Sequence, residues 1–222
     1  MIVLKILSNI AFGNMNIVSL SLAIYGLINI KKLGDLKIFI LLPVLSFIDS
    51  FSLILLGQIL GNKNNFLFFS EYFQIFFLNL ELSIIIIFYF NYIFEIKSKL
   101  YYIIPSIITI FFLILNYFSG QNIADDYLPV IVVIEALFVN ICFGVLFSLK
   151  IKQDKLIISQ WANEINKGFF LFVNTTAPYY LIINYWDNQQ EILATYLNFI
   201  GSIGYIILFY HIYKAIKCYQ LN

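Results

Sequence analysis

The sequence predicts an all-α protein, a bundle of seven membrane-spanning helices with its N-terminus outside and its C-terminus inside. Three observations carry that prediction. The 222 residues are 62% hydrophobic, 19% aromatic and only 11% charged, whereas water-soluble domains are about 45–50% apolar and about 25% charged. Seven apolar stretches each approach the roughly 20 residues that cross a ~30 Å hydrocarbon layer. Short polar or lysine-bearing segments separate them, at 31–35, 61–65, 97–99, 119–127, 150–167 and 187–191.

The first span is expected over 12–30, and Ser19, Ala23 and Gly26 give it a small-residue face for close helix contact. Met1–Ile10 has little charge and no small-residue cleavage site, so it reads as a frayed or in-plane lead rather than a signal peptide. Span 2, 38–60, sets Ser46, Asp49 and Ser50 on one face at i, i+3 and i+4. Span 3, 72–94, holds Gln74 and Glu81 two turns apart on one face. Span 4, 100–118, opens on Tyr101 and Tyr102, suited to an interface. Span 5, 129–149, carries Glu135 and Asn140.

The segment 150–167 gathers Leu156, Ile157, Ile158, Trp161 and Ile165 on one helical face and predicts a short helix lying on the headgroups, open to a cytoplasmic protein partner. Span 6, 168–186, contains Pro178, and span 7, 192–213, contains Asn198, Gly201 and Gly204. The spans make one polytopic membrane domain over 1–222, and a bundle this small leaves room for a homo-oligomer.

Orientation follows from lysine. The segments after spans 1, 3 and 5 and the C-terminal tail hold Lys31, Lys32, Lys37, Lys97, Lys99, Lys150, Lys152, Lys155, Lys167, Lys214 and Lys217, and the opposite side holds Lys5 and Lys63. Lysine-rich loops stay in the cytoplasm, which predicts a multi-pass protein of a bacterial inner membrane with the lipid bilayer as its first partner. A net charge of +1 gives nucleic acid no basic surface. The absence of arginine removes bidentate clamping of phosphate or carboxylate and an arginine-rich voltage sensor. Cys142 and Cys218 make no disulfide framework.

Chemistry concentrates in the acids inside the spans. A charged acid at mid-bilayer costs on the order of 3 kcal/mol, so Asp49, Glu81 and Glu135 are expected to face the bundle interior, as protonated acids or with partners. At about 1.5 Å per residue, Asp49 and Glu81 fall near the midplane and Glu135 roughly 9 Å below the outer surface. All lysines lie outside the spans or at their ends, so apolar surroundings favour the neutral acid. Two readings stand side by side: a proton- or cation-binding site lined by Asp49, Glu81, Glu135, Asn140 and Asn198, or neutral carboxyls hydrogen-bonded between helices. Pro178, preceded by Asn174, Thr175 and Thr176, is a candidate gating hinge and equally an ordinary membrane-helix proline.

Other seven-helix chemistry finds no support. Span 7 has no central lysine for a retinal Schiff base, and the single histidine, His211, is too few for a zinc site and too peripheral to serve an intramembrane serine hydrolase. No cofactor is expected, and an enzyme ranks last among the readings. From Asp49 through Gly61, Asn64-Asn65 and Tyr72 to the aliphatic-aromatic helix ending near Phe94, the chain resembles a group of uncharacterised bacterial seven-helix integral membrane proteins. Ser70 and Phe76 stand where those proteins carry histidine and glutamate. The resemblance implies the span count and no activity. The functional expectation is proton- or cation-linked transport or conduction of a small solute, and the alternative is a sensory or scaffold component acting through a cytoplasmic partner.

Overall fold

A computed structural model describes residues 2–60, 76–95, 107, 124–152, 159–183 and 190–220, with the backbone alone at 53–60, 124–131, 150–152, 179–183, 190–194 and 197–198. These residues form six helices: α1 (Ile2–Ile28), α2 (Leu41–Leu60), α3 (Phe76–Ile93), α4 (Ala124–Lys152), α5 (Gln160–Ile183) and α6 (Gln190–Gln220). Among the described residues the fold is all-α, and four stretches are long and apolar enough to cross a membrane: Ile2–Ile28, Phe76–Ile93, Val132–Leu149 and Phe199–Gln220. The span predicted over 100–118 lies outside the described residues, save for Ile107.

The described helices begin or end away from the sequence boundaries for local reasons. Instead of a frayed lead, α1 runs unbroken from Ile2. Its polar residues are absorbed along the helix: Asn16 donates to the Phe12 carbonyl at 3.0 Å and Ser19 donates to the Asn16 carbonyl at 2.9 Å. The chain then turns through 3-10 segments at Ile30–Lys32 and Gly34–Ile40. Gly34 has φ +48, and a β-carbon there would collide with the Tyr219 hydroxyl, so only glycine suits this corner. Pro43 falls in the first turn of α2, where its missing N–H is no loss.

The last turns of α3, Phe88–Ile93, widen into a π-helix closed by the Phe94 N–H donating to the Tyr89 carbonyl at 2.9 Å. The wide turn brings the adjacent Phe88 and Tyr89 both into the core, where each is 0% exposed. Glu95, at φ 55, ends the helix in the left-handed conformation common at helix C-termini.

Part of the predicted surface helix is placed: residues 160–167 are the first turns of α5, continuous with the stretch predicted as span 6, while 153–158, with Leu156, Ile157 and Ile158, lie outside the described residues. The stripe Trp161, Ile165, Phe169 and Phe172 continues at helical spacing into the bundle, with Ile165 and Phe169 fully buried, so its apolar side faces protein. The charge of Glu164 is met inside the fold, as described below.

Contacts fix the helix directions. Gly26 of α1 meets Ile40 at the start of α2, an antiparallel hairpin. α5 and α6 are antiparallel and pack most extensively: Gly168 lies against His211 and Leu208, and Gly204 against Thr176 and Phe172. α4 and α5 are antiparallel, with Phe143 stacked on Phe170 at 4.1 Å. α3 and α4 run parallel, because Glu81 is in electrostatic reach of Glu135, while Tyr89, further along α3, contacts Phe138, further along α4. α3 is the most enclosed of the four apolar stretches.

At the end where α1, α3 and α6 finish, aromatic rings lock five helix ends together. Phe39 contacts Phe88, Tyr92, Trp161 and Phe169 at centroid separations of 5.6–6.5 Å, and Trp161 contacts Tyr219 at 6.2 Å. Tyr25 donates to the Gln220 side chain and makes an edge contact with Tyr213. Lys214 and Lys217 sit over the Tyr210 and Tyr213 rings at 5.0 and 5.5 Å, the pairing of amphipathic ring and cation that suits a bilayer edge.

Candidate functional site

Each membrane acid comes from a different helix. Asp49 is on α2, between Ser46 and Ser50, both buried, so the face picked out by their spacing does turn inward. Glu81 is on α3 and is 0% exposed, and Glu135 is on α4 and is 1% exposed. Glu81 interacts electrostatically with Asp49 and with Glu135, so it is the middle member of a chain Asp49–Glu81–Glu135.

Among the described residues one donor from another helix reaches these acids. The Tyr205 hydroxyl, from α6, donates to Glu81 Oε2 at 2.9 Å. Asp49 Oδ1, Glu81 Oε1 and Glu135 Oε1 are buried without a hydrogen-bond partner among the described residues. A buried carboxyl oxygen without a donor costs on the order of 1–3 kcal/mol, which a proton shared between acids or a bound cation would recover. Among the described residues no three His, Cys, Asp or Glu side chains come close enough to hold one metal ion together.

The remaining predicted residues separate from this chain. Asn140 forms a reciprocal amide pair with Asn174 of α5, donating at 3.4 Å and accepting at 3.2 Å, and donates to the Ala136 carbonyl at 2.8 Å. Its polar atoms are engaged in joining α4 to α5. The backbone of Asn198 lies in α6 and its side chain is outside the described set. Pro178 is exposed within the unbroken α5. On the turn before it, Asn174, Thr175 and Thr176 each donate to the carbonyl four residues back, at 2.7, 2.7 and 2.9 Å. Such back-bonding tends to bend helices and slightly weakens their own hydrogen-bond ladder, which makes this turn a soft point in α5.

Two polar contacts were not foreseen from sequence. Tyr205 reads as one more aromatic in an aromatic chain, and its place one residue after Gly204 was the available hint: the glycine lets α6 approach α5, which carries Tyr205 inward. The second is an ion pair at the end where α6 finishes. Glu164 Oε1 accepts from Lys167 at 2.8 Å, and Glu164 Oε2 lies 3.0 Å from His211 Nδ1. Burial pushes the Glu164 carboxyl up, but the hydrogen bonds and charges of Lys167 and His211 outweigh it and hold the group below its ordinary value. Between the two polar levels, Tyr89 donates to Asn166 Oδ1 at 2.7 Å. Comparisons with protein families, with curated proteins and with solved structures return no match to this chain.

Proposed function

We propose that the protein binds protons or small monovalent cations at the linked carboxyls Asp49, Glu81 and Glu135 and uses them to conduct that charge or to couple it to movement of a small solute. The observation that carries this reading is the convergence of three acids from three helices, each with an unpartnered buried oxygen. Carboxyls retained only for packing would be expected to spend both oxygens on donors, as Asn140 and Asn174 spend their amides. In this reading Glu81 is the exchange point, Tyr205 orients it, and the soft turn before Pro178 supplies flexure.

The reading takes the chain as seven spans with the N-terminus outside, in a bacterial inner membrane, in keeping with the likeness over 49–94. Parallel α3 and α4 support an odd number of spans, since a single return crossing between them accounts for their shared direction, and 100–118 has the length for it. The alternative, a sensory or scaffold component docking a cytoplasmic partner through 150–167, loses its main support because the side carrying Ile165 and Phe169 is buried in the bundle. A homo-oligomer is compatible with the apolar residues α1 and α4 leave exposed, such as Ile17 and Ile141.

The test is flux in proteoliposomes. Glu81→Gln is expected to abolish proton- or cation-driven flux while the protein still accumulates and inserts, and Asp49→Asn and Glu135→Gln to reduce it. Wild-type flux in all three variants would overturn the reading.

A further inference from the structure

We propose that Glu164 and His211 form a second proton-binding site, the exchange point between the carboxyl chain and the aqueous phase at the end of the bundle where α6 finishes. The inference rests on the proton-conducting reading above and adds the side-specific exit it lacks.

The chemistry follows from one contact. Glu164, paired with Lys167, is an anion, and an anion only accepts. The 3.0 Å approach of His211 Nδ1 to Glu164 Oε2 therefore requires Nδ1 to carry the hydrogen. In the neutral imidazole that leaves the lone pair on Nε2, which takes a proton from water and releases it again, while Nδ1–H stays on the carboxylate. The imidazolium so formed faces Glu164. The other charged or titratable groups recorded at the pair are Lys167 from α5 and Lys214 and Tyr210 from α6.

Placement supports the role. Lys167 is 47% exposed in its side chain, so the pair opens toward the aqueous end, while Glu164 and His211 are nearly enclosed. His211 is pinned by Gly168, where a β-carbon would stand 2.8 Å from His211 Cβ. Toward the bundle centre come the Tyr89–Asn166 bond and then Tyr205 on Glu81, the latter about 9 Å along α6 from His211. Fully buried Phe88, Phe169, Leu208 and Phe209 fill the space between these levels, a dry barrier that makes passage between them a gated event.

The experiment reads proton flux with a pH-sensitive dye in proteoliposomes, varying the pH on each face separately. His211→Gln, which leaves the carboxyl chain untouched, is expected to lower flux about a hundredfold and to abolish its dependence on pH at the α6 C-terminal face, with dependence on the other face kept. Glu164→Gln, which removes the acceptor that holds Nδ1–H and so keeps the lone pair on Nε2, is expected to lower flux and weaken its pH dependence at that face, and it carries the test if His211→Gln fails to accumulate. Wild-type flux with unchanged pH dependence in these variants overturns the proposal while the carboxyl reading stands. No proton flux in the wild type overturns the proposal, and absence of both proton and monovalent-cation flux overturns the carboxyl reading as well.

Discussion

Tyr205 satisfies one oxygen of Glu81 and leaves the other bare. Tyr205→Phe keeps the ring, which packs on Phe172 at 4.8 Å, and removes only the donor. The expected cost is about 1–3 kcal/mol, because a buried oxygen loses its only recorded partner. Thermal unfolding in detergent measures it, and the cost should vanish in a Glu81→Leu background, where no oxygen remains to be stranded. Glu164 makes the complementary prediction with pH. Its carboxyl is held below its unfolded-state value of about 4.3, so its stabilising contribution is complete above that value and disappears as pH falls through the folded-state value. The stability difference between wild type and Glu164→Gln, followed by thermal unfolding, should shrink as pH falls through the folded-state value of Glu164. At this scale the sequence was informative about charge and silent about geometry. A charge inside an apolar run is conspicuous in one dimension, as Asp49, Glu81 and Glu135 were. The partners are not: Tyr205 lies 124 residues from Glu81 and His211 lies 47 from Glu164.

At the scale of elements, glycines sort by what surrounds them. A β-carbon at Gly204 would stand 2.8 Å from Thr176 Cγ2, and one at Gly168 2.8 Å from His211 Cβ, whereas Gly144 and Gly201 have nothing within 4 Å. Gly168→Ala and Gly204→Ala should therefore force α5 and α6 apart and lower stability by about 1–3 kcal/mol. Gly144→Ala and Gly201→Ala should be neutral or stabilising, by up to about 1 kcal/mol, because alanine loses less backbone freedom in a helix. Melting temperatures of the four variants in one detergent test the order. Spacing alone does not separate Gly201 from Gly204. Helix existence was legible from apolar runs of sufficient length. The continuity of α5 was not, because Glu164 and Lys167 look like a polar face until His211 arrives from α6 to share the charge.

At the scale of the whole molecule, the parallel course of α3 and α4 sets the parity of the topology. Reporter fusions after Ile28, Ile93, Lys152 and at the C-terminus should report the same side of the membrane, and that side should be the cytoplasm. A reporter after Lys152 on the side opposite to one after Ile93 would contradict the parity. The lysine distribution predicts the same arrangement, since a charge bias is a sum over the chain and survives ignorance of packing. What the sequence left open was whether the three acids meet, because depth along each span is readable at about 1.5 Å per residue but rotation about the bundle axis is not.

Their meeting is the central claim, and infrared titration of the membrane-reconstituted protein tests it most directly. The carboxylic-acid carbonyl band, followed from acid to alkaline pH, should contain contributions removed in turn by Asp49→Asn, Glu81→Gln and Glu135→Gln. Because Glu81 interacts with both of the others, its removal should change the titration of the remaining two bands, while removal of Asp49 or Glu135 should alter chiefly that of Glu81. Three carboxyls that titrate independently of one another, or that do not titrate at all, would contradict the account.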